Sequence, residues 1–116
     1  MSLGYAYEKL SATVSSLADS EGTLRDRLLN AWTSQGVRTP VVDGGAVFPD
    51  LARRLDALHK RMSSVREGSE GWIAATVAAM TEEDARAVVR EMLELASIVT
   101  ELHWRDVVRA EVENAG

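Results

Sequence analysis

Two histidines, His59 and His103, are the only side chains of this chain whose ordinary pKa lets them exchange a proton near neutral pH. Each has an aspartate three residues away, Asp56 before His59 and Asp106 after His103. On a helix, residues three apart share a face. Two carboxylate–imidazole pairs on facing helices could hold a metal in a bundle core, and a bound metal makes a hydrolytic nucleophile from water. Such a site also needs inward carboxylates from two further helices, where the first two helical segments offer Glu8 and Asp26. Asp56 and His59 moreover flank the apolar seam of Leu55 and Leu58 without interrupting it. The four residues are therefore read as solvated helical pairs of small stabilising value, and no cofactor is expected. A metal-assisted hydrolase built on Asp56, His59, His103 and Asp106 is the competing reading.

A second acidic set comprises Glu82, Glu83 and Asp84, with Glu91 and Glu94 further on. It invites comparison with the all-α nucleotide pyrophosphohydrolases, whose Mg²⁺ is held by carboxylates on adjoining helices. Mg²⁺ would need two or more acids aimed at one interior point. Glu82 to Asp84 instead suit the first turn of a helix, where negative charge meets the positive end of the macrodipole. Glu91 and Glu94 are expected to pair with Arg90 and Arg86 on an outward face. Nucleophilic chemistry has no motif to stand on. There is no cysteine, Gly44-Gly45 lacks the Lys-Ser/Thr of a phosphate loop, and no Gly-x-Ser-x-Gly elbow occurs.

The net charge of −5 argues against a nucleic-acid backbone as partner, because phosphate binding relies on clustered Lys and Arg. Arg53, Arg54, Lys60, Arg61 and Arg66 do make one stretch locally positive, but Asp50, Asp56 and Glu67 dilute it. The segment before it is too long for the turn of a helix-turn-helix. This patch is expected to be a solvated face that complements the acidic last helix. The tryptophans at 32, 72 and 104 read as core and interface fillers, since a base-stacking platform would come with a positive groove.

These residues must be positioned by helices. From Thr81 to about Glu113 there is neither proline nor glycine. Thr81 is placed as N-cap, and Ala85, Val88, Met92, Leu95, Val99 and Leu102 recur at steps of three and four. Past Leu102 the stripe turns. Trp104, Val107, Val108 and Val112 open a second face, while Asp106 and Arg109 fall where the first would continue. A helix so long, with an apolar face that turns, is expected to pack partly on something outside its own fold, most simply a second copy.

Upstream, a first helix from about Gly4 to Ala18 carries Tyr7, Leu10, Val14 and Leu17. Thr23, with Asp26 reaching back, caps a second helix bearing Leu24, Leu28, Ala31 and Trp32. Gly36 to Val47 reads as a loop, although Asp43-Gly44-Gly45 between Val41-Val42 and Ala46-Val47 has the pattern of a small hairpin. Pro49 opens a third helix with the seam Leu51, Leu55, Leu58 and Met62, and a short Ala-rich helix ends at Met80. No run approaches the ~20 apolar residues that span a bilayer, and the N-terminus lacks the order of a signal peptide, so no membrane partner and a cytoplasmic location are expected.

The stretch Tyr7-Glu8-Lys9-Leu10, then Leu17-Ala18, Leu24-Arg25, Arg27-Leu28 and Ala31, followed by Phe48-Pro49 and Leu51, resembles a set of short bacterial proteins of unassigned function. The resemblance covers about the first half of the chain. It implies an all-helical bundle and carries no activity and no functional residues.

The expected fold is all-α, an up-and-down bundle of four to five helices in a single domain over residues 1–116, with a long C-terminal helix. The expected role is that of a non-enzymatic interaction or regulatory protein. It would self-associate through Trp104, Val107, Val108 and Val112 as a homodimer.

Overall fold

Reciprocal caps start two of the helices. The Thr23 N–H donates to Asp26 Oδ2 at 3.1 Å and the Asp26 N–H donates back to Thr23 Oγ1 at 3.2 Å. Thr81 and Asp84 repeat the arrangement, both bonds at 3.0 Å. Each pair satisfies two backbone donors that a helix start leaves without partners. The computed structural model describes residues 3–35, 48–66 and 71–115. Within them the helices are α1 (Leu3–Asp19), α2 (Leu24–Gln35), α3 (Pro49–Met62), α4 (Trp72–Ala79) and α5 (Glu82–Ala115), with no strand. The loop or hairpin expected over Gly36 to Val47 lies outside the described residues, as do residues 67–70 of the break before α4.

α1 and α2 are joined by a tight turn. Gly22 adopts φ +103° there, and a Cβ at this position would stand 2.9 Å from Asp26 Oδ2, so glycine suits both the backbone and the cap. Arg27 closes the end of α1, donating from Nε and Nη2 to the Leu17 carbonyl at 2.8 and 2.6 Å. Arg25 does the same for α4, donating to the Met80 carbonyl at 3.0 Å and to Glu82 Oε1 at 3.1 Å. These contacts set the starts of α2 and α5 side by side.

α5 is the spine, packing against α1, α2 and α3, while α4 touches α2 and α3. α3 runs antiparallel to it. Phe48 and Leu51, at the start of α3, share a groove with Ile98 and Leu102, whereas Leu58 and Arg61 near its end share one with Asp84 and Val88. One buried cluster joins all five helices. It includes Leu10, Leu17, Leu28, Trp32, Leu55, Leu58, Met62, Val77, Met92, Leu95 and Val99. The bundle and its long last helix are as the periodicity predicts.

Two expectations need correction. The inward residues of α1 are Ala6, Leu10, Thr13 and Leu17, with Tyr7 and Val14 only half-buried. α1 is wedged between α2 and α5. Close approach on two sides favours the small Ala6 and Thr13, and Thr13 satisfies its hydroxyl on the Lys9 carbonyl at 2.7 Å. Secondly, Glu91 and Glu94 do not pair along α5 with Arg90 and Arg86. They meet Arg54 of α3, at 2.8 Å (Nε–Oε1) and 3.1 Å (Nη2–Oε2) for Glu91 and 3.1 Å for Glu94. A planar guanidinium between two carboxylates one turn apart takes up geometry that no pair along α5 offers.

Candidate functional site

The two histidines do not converge. His59 lies near the end of α3, 11 residues past Phe48, which is roughly 16 Å along the helix. His103 follows Leu102, the residue that shares a groove with Phe48. His103 stacks on Tyr7 of α1, with centroids 4.5 Å apart and planes 14° from parallel. Asp56 is taken by Lys60 at 2.9 Å, and Asp106 is exposed on the far part of α5. His59 Nδ1 is buried without a hydrogen-bond partner among the described residues. No group of three or more His, Asp or Glu that could hold a metal occurs among the described residues.

The acids of α5 divide in the same way. Asp84 is occupied in the cap with Thr81, whose backbone and hydroxyl hydrogen bonds hold its carboxyl below the ordinary value of 3.8. Glu91 and Glu94 hold the Arg54 guanidinium in its charged form, chiefly through the Glu91 hydrogen bond. A shallow groove of about 330 Å³ runs here between α3 and α5, floored by Ala57, Leu58, Ala87 and Val88 and rimmed by Arg54 and Arg61. Asp84 is spent on the cap and Glu91 with Arg54 on joining the helices, which leaves the groove no converging pair of acids for chemistry. Of the other expected basic residues, Arg53 pairs with Asp50, and Arg66 lies 4.4 Å from the centre of the Trp72 ring.

The second face of α5 is the surface left over. The last fully buried residue of the helix is Val99. From Val108 to Ala115 every residue is exposed, so about 12 Å of helix projects beyond the bundle. Trp104 is 50% exposed, Val108 54% and Val112 67%. Trp104 is steadied at its base by edge contacts to Tyr7 at 6.1 Å and His103 at 5.5 Å between ring centres. Thr100, Glu101, Trp104, Arg105 and Val108 together line an open apolar trough on one side of the helix.

This face reaches further back than the turning stripe indicated. Leu93 is 47% exposed, next to the buried Met92. Leu93, Ser97, Thr100, Trp104 and Val108 follow one another at steps of three and four, a continuous line set roughly 150° around the helix from the core stripe. Beside its upper half, between α1 and α5, lies a groove of about 440 Å³ whose lining includes Ser11, Val14, Leu93, Ser97, Thr100 and Glu101. The spacing 93–97–100–104–108 was present in the sequence. Two polar residues in its middle hid it, and so did the stronger core stripe beside it.

No protein-family model matches this chain, and neither a curated protein nor a solved structure is significantly similar to it. Among the described residues, no helix is long and apolar enough to cross a membrane.

Proposed function

We propose that this chain is a non-enzymatic, cytoplasmic interaction or regulatory module that associates with a second copy of itself through α5. One observation carries the reading. The last turns of α5 leave the bundle with Trp104, Val108 and Val112 half or more exposed along them. Exposed tryptophan and valine on one helix face are costly in water and typical of interface cores. The chemistry-bearing side chains support it from the other direction, since Asp84 is taken up by a cap, Glu91 and Glu94 by Arg54, and His103 by the stack on Tyr7. The net charge of −5 keeps nucleic acid outside the reading.

Light scattering at micromolar concentration tests it. The expected mass is twice the 12.6 kDa of the chain. Trp104→Ala should return the particle to the mass of one chain with its helical circular dichroism intact. A wild-type protein that stays at single-chain mass as concentration rises would defeat the proposal.

A further inference from the structure

The second face of α5 is self-complementary about one point, and this defines how two copies would meet. Resting on the self-association reading, we infer that α5 pairs with α5 of a second copy antiparallel, about a two-fold axis between Thr100 and Glu101. Trp104 of each copy then seats in the α1–α5 groove of the other. Residues opposite each other under that axis have numbers that sum to 201. Trp104 falls opposite Ser97, Val108 opposite Leu93, and Glu111 opposite Arg90.

Each of these pairings is favourable by its own chemistry. Ser97 lies on the wall of the groove with the small Ser11, Ala96 and Thr100, and Val14, Leu93 and Glu101 edge it, so a bulky indole meets a depression with small residues inside and apolar ones at its rim. Val108 meets Leu93, and two half-exposed aliphatic side chains leave water together. Arg90 and Glu111 are both exposed and of opposite charge, and they close the line at its two ends. Knob and hollow stand seven residues apart on one helix, about 10 Å, which is what an isologous contact requires. The overhang that the bundle leaves uncovered lies, in this arrangement, along the other copy's bundle. The overlap from Arg90 to Glu111 is about 32 Å long. A parallel pairing would instead set Trp104 on Trp104, Arg90 on Arg90 and Glu111 on Glu111, and would leave both grooves unfilled.

The absence of cysteine makes the test direct. Arg90→Cys and Glu111→Cys chains are prepared separately, then mixed and mildly oxidised, with light scattering on the same samples before oxidation. The expected result is a disulfide-linked dimer that needs both variants in the mixture, since each alone places its thiols at opposite ends of the contact. Ser97→Trp, which fills the groove from an exposed helix position, should weaken association about tenfold or more without changing the helical content. Self-linking of each variant alone, or a dimer in solution that does not cross-link in the mixture, overturns the antiparallel register and leaves self-association standing. Single-chain mass in light scattering for the wild type and both variants overturns the self-association reading as well.

Discussion

Asp84 works at the scale of a single proton. Its carboxylate accepts the Thr81 N–H at 3.0 Å, and the Thr81 hydroxyl accepts the Asp84 N–H in return. A carboxylate that accepts hydrogen bonds in the native state holds its proton less readily there than in the unfolded chain. Its pKa is lowered from 3.8, so its stabilisation is complete above 3.8 and is lost as pH falls through the lower native value. Urea titrations of the wild type and Asp84→Ala should therefore differ at neutral pH and draw together in acid below 3.8. A gap that stays constant into acid would assign the cap no charge component. Thr81 and Asp84 were legible as a helix start because a cap is made within four residues of chain. The partner of Glu91 was not, because Arg54 stands 37 residues away and reaches it only once α3 lies on α5.

Among the elements, α3 and α1 teach opposite lessons. In α3 the seam Leu51, Leu55, Leu58 and Met62 has no apolar rival on the other faces of the helix, and all four residues are buried. Leu55 is 2% exposed, and Leu55→Ala removes a side chain from the shared core. It should cost roughly 2–5 kcal/mol, read from the shift of the denaturation midpoint at unchanged slope. A loss below about 0.5 kcal/mol would place Leu55 outside the core. In α1 the stripes Tyr7–Val14 and Ala6–Thr13 differ by one residue in phase, and Leu10 and Leu17 belong to both. Hydropathy prefers the first. Packing chose the second, because α1 has neighbours on two sides and the smaller residues admit them. That rotation leaves Val14 at the rim of the α1–α5 groove, where it contributes to the candidate surface.

At the scale of the molecule, the long axis of 56 Å is essentially that of α5, about 51 Å for its 34 residues, against widths of 29 and 22 Å. A bundle built on helices of 8 to 17 residues cannot cover a partner of 34. The overhang buries little and so contributes little to the stability of the single chain; in the proposed dimer its contribution comes through association. Removing residues 108–116 should thus leave a folded bundle whose Tm no longer depends on protein concentration, while the Tm of the full chain rises with concentration by mass action. Calorimetry over a wide concentration range checks both halves. An intact chain whose Tm is independent of concentration would contradict the role given to the overhang.

The five helices, the Thr23 and Thr81 caps, the seams of α3 and α5 and the turn of the stripe near Trp104 could all be read from the chain alone. All of these follow from 3.6-residue periodicity and from bonds made within a few residues. The tertiary structure alone decided the phase of α1, the transfer of Glu91 and Glu94 to Arg54, the separation of His59 from His103, and the joining of Leu93 to Trp104 and Val108 in one exposed line. Each of these depends on which helix lies against which face. Periodicity finds an apolar stripe, but only the arrangement of neighbours settles whether that stripe is covered or left to water.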